Sequence, residues 1–202
     1  MESPVHYSVT YPEKLSRGLL LLKTFLGGLY VGIPHVFCLM FFGIGAGFIM
    51  FIAWWAILFN GKYPERMFHF VLRYFRWGLR VGIYTCTFQT DQYPPFTGVK
   101  EVPGYDVLNF DIEYPPTLSR GLLLLKTFFG CVYVMIPHMF CLCFVGLWAG
   151  ILLFLSWWAI LFTGMFPQGW FNFIVKTQRW GMRVMAYFPL YMTDVYPDFG
   201  LK

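Results

Sequence analysis

Two stretches of this chain, residues 24–59 and 127–174, contain no Asp, Glu, Lys or Arg. Each exceeds the roughly 20 apolar residues that cross a bilayer. The competing reading, a buried core helix of a water-soluble protein, would need enough polar surface to enclose both runs. The composition does not offer it, since 58% of the 202 residues are hydrophobic, 22% aromatic and only 12% charged, against about 25% charged in soluble domains. The bilayer is therefore treated as the solvent.

The first residues carry Glu2, Pro4 and Tyr11-Pro12 where a secretory signal has a basic patch and an apolar run, so no cleaved leader is expected. Cys38, Cys86, Cys131, Cys141 and Cys143 are odd in number and lack ligand spacing with histidines. They read as small packing residues, and no metal or disulfide framework is expected. The net charge of +5 could suggest nucleic acid, but the Lys and Arg flank the apolar runs and form no separate basic domain. Anionic lipid headgroups are the expected counter-charge, and nucleic acid is not an expected partner.

The chain repeats itself. Leu15-Ser-Arg-Gly-Leu-Leu-Leu-Leu-Lys-Thr-Phe25 returns 103 residues later, followed in the same register by Ile136-Pro137-His138 for Ile33-Pro34-His35 and Arg179-Trp180 for Arg76-Trp77. Aligning 6–97 on 109–200 gives 48 identities in 92 positions, the mark of a duplicated module. The domain reading is a first module at 1–97, a linker at 98–108 and a second module at 109–202. Each copy opens with an alternating stretch, 6–11 or 109–114, that has the period of a half-buried strand. A lone strand cannot stand, so the two copies are expected to pair with each other or with a neighbour's edge.

As one helix, 18–59 would be roughly 60 Å long, twice the hydrocarbon thickness. Proline disfavours helical geometry in the residue before it and suits the first turn of a new helix. The expected fold is therefore all-α and membranous: a Pro-broken helical hairpin, 16–33 with 34–59 and 119–136 with 137–162, turning at Pro34-His35 and Pro137-His138. In it Lys23 and Lys126 must snorkel or face protein. The rival makes the first helix interfacial and leaves one span per module. Basic positions kept in register between the copies favour an even number of spans and one shared orientation, with both termini cytoplasmic.

A different helix follows Pro64. Phe68, Leu72, Phe75 and Leu79 fall on one face, while His69, Arg73, Arg76 and Arg80 fall on another, the pattern of an interfacial amphipathic helix. The second copy keeps Lys176, Arg179 and Arg183, although Gln178 replaces Phe75. Arg73, Arg76, Arg80, Lys176, Arg179 and Arg183, with Trp77 and Trp180, are thus candidates for contact with headgroups or an acidic partner, the alternative being a solvated face. Trp54, Trp55, Trp157 and Trp158 sit at aromatic-belt positions.

Arg17 with Lys23, Ile33-Pro34-His35, Ile57-Leu58-Phe59-Asn60-Gly61 with Pro64, Phe68-His69-Phe70, Arg76-Trp77-Gly78-Leu79-Arg80-Val81 with Tyr84, and Tyr93-Pro94-Pro95-Phe96 together carry a resemblance. The chain resembles the bacterial domain-of-unknown-function family 4389, twice over nearly its whole length. The second copy departs at Asp198, which stands for the second Pro of the closing motif. The resemblance implies a small protein of the bacterial inner membrane and no particular activity.

No phosphate loop, nucleophile elbow, His-x-x-x-His spacing or intramembrane acid is present in the sequence. His35 and His138 could ligate a haem only if both rings faced one cavity. The other reading, a helix-start histidine that satisfies backbone groups or sits among headgroups, is preferred, and no cofactor is expected. Gly43, Gly45, Ala46, Gly47, Gly146, Ala149 and Gly150 allow close helix approach. The expected function is a non-catalytic accessory or scaffold subunit packed against larger integral membrane subunits and membrane lipids. The alternative is a small transporter or channel built on the two repeats.

Overall fold

The helix of the first module starts where the sequence supplies a cap, since the Ser16 hydroxyl accepts the Leu19 N–H that a helix start leaves orphaned. In the computed structural model, which describes residues 3–201, it does not stop at Pro34. Helix α1 (Arg17–Gly27), a π-helical turn (Gly28–Gly32) and α2 (Ile33–Asn60) form one helix of 44 residues. The second module repeats this with α4 (Arg120–Gly130), a π turn (Cys131–Met135) and α5 (Ile136–Thr163). The expected hairpin turns at Pro34-His35 and Pro137-His138 are thereby corrected. Among the described residues two helices, not four, are long and apolar enough to cross a membrane.

The continuity has a local cause. A proline inside an α-helix clashes with the carbonyl four residues back and cannot bond to it. Here the Ile33 N–H reaches Gly28 O, five residues back, and the widened turn makes room for the ring. The carbonyl that Pro34 strands is that of Tyr30, and the Tyr93 hydroxyl donates to it at 3.3 Å. In the second module Tyr196 donates to Tyr133 O at 3.0 Å.

Each long helix ends at a left-handed glycine, Gly61 with φ 67° and Gly164 with φ 75°, as helix ends commonly do. The chain reverses there, one element later than expected, into α3 (Glu65–Thr85) and α6 (Gln168–Tyr187). Along the return, Tyr74 packs on Gly43 so closely that an added Cβ would meet its hydroxyl at 2.9 Å. Further along, the Trp77 indole donates to His35 Nδ1 at 2.9 Å, and the Tyr84 and Tyr30 hydroxyls share a hydrogen bond at 2.9 Å.

The strands pair with each other, β1 (Val5–Val9) antiparallel to β2 (Leu108–Ile112), with Tyr7 opposite Phe110. Residue 110 is the repeat mate of residue 7, so a pseudo-twofold axis passes through this pair, normal to the sheet. Val5, Tyr7, Val9, Leu108, Phe110 and Ile112 are buried in the core with Phe68, Phe171 and Ile174 of α3 and α6, while His6, Ser8 and Asn109 are exposed.

The modules exchange contacts across the axis. The Trp54 indole donates to Thr127 Oγ1 at 2.9 Å and Trp157 to Thr24 Oγ1 at 2.8 Å. Leu15 N donates to Gly164 O and Leu118 N to Gly61 O, both at 2.8 Å. One core cluster contains Leu20, Ala53 and Ile57 together with Leu123, Leu152 and Ile160.

The rest of the long helices is bare. His35, Ala46, Ala53 and Ile57 form the buried side of α2. The opposite side exposes Ile33, Phe37, Phe41, Phe48, Phe51 and Phe59, and α5 does likewise with Ile136, Phe140, Phe144, Leu147, Phe154 and Phe162. Patches this long on a soluble monomer mark an interface with lipid or protein.

Candidate functional site

Residues 89–96 run back along α1 and α2 as a strap. The α1 lysine Lys23, 4% exposed, donates to Thr90 O at 2.8 Å and to Asp91 Oδ1 at 2.7 Å. Its ammonium also lies 4.7 Å from the Tyr84 ring centroid, a cation–π distance. Asp91 Oδ2 accepts the Ser16 N–H at 2.6 Å, so one carboxylate ties the helix start to the buried lysine. Of the two fates expected for Lys23, facing protein is the one observed. Lys126 repeats the arrangement with Thr193 O at 2.8 Å and Asp194 at 2.6 Å.

Further along the strap, Phe96 stacks on the His35 ring at 3.9 Å between centroids, with 12° between the planes. Phe199 does so on His138, also at 3.9 Å. Because Nδ1 accepts from tryptophan, each imidazole is assigned as neutral with its proton on Nε2. Both Nε2 atoms are buried without a hydrogen-bond partner. Neither histidine lies at a turn between helices, which corrects that expectation. Each ring is enclosed by its own module's residues: Trp77, Tyr93 and Phe96 for His35, and Trp180, Tyr196 and Phe199 for His138.

The basic stripe divides. Arg73 and Lys176 are exposed. Arg76, Arg80 and Arg183 are buried, as are Trp77 and Trp180, so these five are corrected from headgroup-facing to inward-facing. Arg76 Nε donates to Phe110 O and Nη1 to Gly98 O, both at 2.8 Å, and Nη2 meets Asp111 at 3.3 Å. Arg179 Nε donates to Tyr7 O at 2.8 Å. Arg76 and Arg179 therefore cap the outward carbonyls at the two edges of the sheet, where unpaired groups would otherwise invite another strand. Burial works against the charge on Arg76, and Asp111 opposes that effect.

Sequence reasoning singled out the arginines and histidines but missed the strap acids Asp91 and Asp194 and the carbonyl-capping Tyr93 and Tyr196. A signal was available, because Lys23, Tyr30, His35, Trp77, Tyr84, Asp91, Tyr93 and Phe96 are each identical in the second copy. Removing one hydroxyl tests the proline repair. Tyr93→Phe is expected to lower stability by about 1 kcal/mol, the net worth of a hydrogen bond. Thermal unfolding in detergent micelles, with Tyr196→Phe as a matched second case, reads the difference.

Comparison with protein families places this geometry. Residues 23–98 and 126–200 each match the family described as Domain of unknown function (DUF4389). The chain belongs to that family, in two tandem copies. Both matched segments begin at the buried lysine and run to the end of the strap, so in each copy the family segment contains the whole lysine, histidine and tyrosine cluster. No curated protein and no solved structure matched the chain.

Proposed function

We propose that this DUF4389 chain is a non-catalytic scaffold or accessory subunit of a bacterial cytoplasmic membrane, its long helices covered by lipid and by the helices of larger membrane subunits. The observation that carries the reading is the exposed apolar side of α2 and α5, opposite their buried side. At 1.5 Å per residue, a 44-residue helix is about 66 Å long, more than twice the hydrocarbon thickness. Such a helix fits the membrane only steeply inclined or bent, and the π turn at 28–32 supplies a place to bend. The sheet, linker and arginines then lie on the aqueous side, and with the twofold axis set along the bilayer normal both modules take one orientation. That satisfies the in-register basic residues with α3 and α6 as the returning limbs. Headgroups or an acidic partner surface remain within reach of Arg73 and Lys176, the exposed members of the stripe.

Purification in a native detergent, followed by mass spectrometry, is the direct test. The expected result is a stoichiometric set of integral membrane subunits held after washing. A chain that elutes alone, with lipid only, would remove the scaffold reading. In a cysteine-free background, probes at Glu101 and Gly200 should be labelled from the same, cytoplasmic side; labelling from opposite sides would reject the shared orientation.

A further inference from the structure

Arg80 and Arg183 are repeat mates, yet their surroundings differ. Arg80 Nη1 donates to Thr97 O at 2.8 Å, and Nη2 donates to Val99 O at 2.8 Å and Lys100 O at 3.1 Å. With Arg76 Nη1 on Gly98 O at 2.8 Å, four successive backbone carbonyls, 97–100, where the first module runs into the linker, are held by two arginines. The Tyr105 ring then lies 5.1 Å from the Arg80 guanidinium. The linker thus occupies a groove beside α3 and the β2 edge as an irregular, backbone-read segment.

Among the described residues, no segment fills the twin groove beside α6 and the β1 edge. Arg183 is 8% exposed, and its Nε and Nη1 are buried without a hydrogen-bond partner. Arg80 Nε is also unpartnered, so the difference between the modules lies in the forked end of the guanidinium. Burial first, and then the neighbouring Arg179, work against the charge on Arg183, with Asp198 opposing them. Where the linker would lie by symmetry there is a cleft of about 310 Å³ lined by Ser3, His6, Ser8, Asn109, Arg179 and Arg183.

The chain's own carboxyl-terminal stretch does not follow the linker's route. Gly98 passes Arg73 so closely that a Cβ would stand 1.8 Å from the Arg73 carbonyl oxygen. The repeat mate of Gly98 is Leu201, whose side chain instead packs against the cluster of Val134, Trp180, Val184, Tyr187 and Phe188.

We propose that the cleft beside Arg183 binds an extended segment of a partner polypeptide, its backbone carbonyls accepting from the Arg183 fork and a glycine passing the Lys176 backbone. The internal repeat identifies this class of occupant, because the filled groove shows what the same arginines hold. Recognition of an extended peptide through its main-chain groups is an established binding mode. The proposal adds a partner's chemistry to the scaffold reading and rests on it only for where that partner comes from.

A labelled synthetic peptide copying residues 97–105, Thr-Gly-Val-Lys-Glu-Val-Pro-Gly-Tyr, provides the probe. Fluorescence anisotropy with the full chain in detergent micelles should show saturable binding. Arg183→Lys keeps the charge but loses the fork, and binding should weaken roughly tenfold, the scale of one charge-assisted hydrogen bond. A peptide with Leu in place of its first Gly should bind at least tenfold more weakly to the unmodified protein, a comparison that holds even if the arginine variant fails to fold. A photoreactive group at the peptide valine before Lys should cross-link within residues 3–8. No binding, equal binding of the Gly and Leu peptides, or cross-linking elsewhere would overturn the proposal. So would displacement of the peptide by millimolar inorganic phosphate, which would make the cleft an oxyanion pocket. Absence of binding would leave the scaffold reading to its own co-purification test.

Discussion

Replacing Lys23 with Met should lower the thermal unfolding midpoint by about 10 °C. The side chain is 1% exposed and bridges Asp91, itself 24% exposed, to Thr90 O. Taking one partner from a buried ion pair costs about 3–5 kcal/mol, because the other is left without its compensating charge. In a chain of this length, 1 kcal/mol moves the midpoint by roughly 2–4 °C. Lys126→Met should behave the same way, since Asp194 and Thr193 O repeat the geometry. The double variant Lys23→Met/Asp91→Asn should cost less than the two single changes added together, because residues in direct contact couple. Midpoints measured in micelles by tryptophan fluorescence or aggregation would show it. A shift under about 2 °C for both lysine variants would mean the pair contributes little net stability.

Gly98→Ala should be the most disruptive of the glycine-to-alanine changes. Its Cβ would fall 1.8 Å from Arg73 O and 2.5 Å from Arg73 C, and backbone atoms in a helix cannot step aside. The linker must lift away, taking with it the acceptors of Arg76 and Arg80 and leaving two buried guanidiniums underbonded. The expected cost is about 3 kcal/mol or more, with the linker opened to protease. Gly78→Ala is the contrasting change. It lies within α3 with nothing within 4 Å of an added Cβ, so it should stabilise by about 0.5–1 kcal/mol through helix propensity. Limited proteolysis of both variants separates a local clash from a general intolerance of alanine.

Several features were legible in the sequence because each rests on a pattern with one physical solution. The duplication and the amphipathic helix after Pro64 follow from periodicity and register, while the strand pairing between copies is one of the two pairings that the alternation allowed. The strands run 5–9 and 108–112, one residue ahead of the alternating stretches at their start. What misled was proline taken alone. Pro34 disfavours an ordinary α-turn, but whether the helix ends depends on whether the stranded Tyr30 carbonyl finds a donor, and that donor is Tyr93, 63 residues away. The arginines misled for a related reason. A guanidinium facing phosphate and one facing backbone carbonyls look identical in sequence, and the carbonyls at Gly98 and Phe110 belong to no motif. Side chains that serve distant backbone groups leave only indirect traces, here the retention of Lys23, Asp91 and Tyr93 in both copies.

The exchanged contacts between modules have a consequence for dilution. Gly61 O, at the end of one long helix, accepts from Leu118 N of the other module, and Gly164 O from Leu15 N, so neither half satisfies its own helix end. As two separate polypeptides the halves would have to find each other, and the fraction assembled would fall with concentration. Joined by residues 98–108, they meet as an intramolecular event at an effective concentration set by the tether. In the joined chain the meeting of the two halves should therefore not depend on the protein's own concentration.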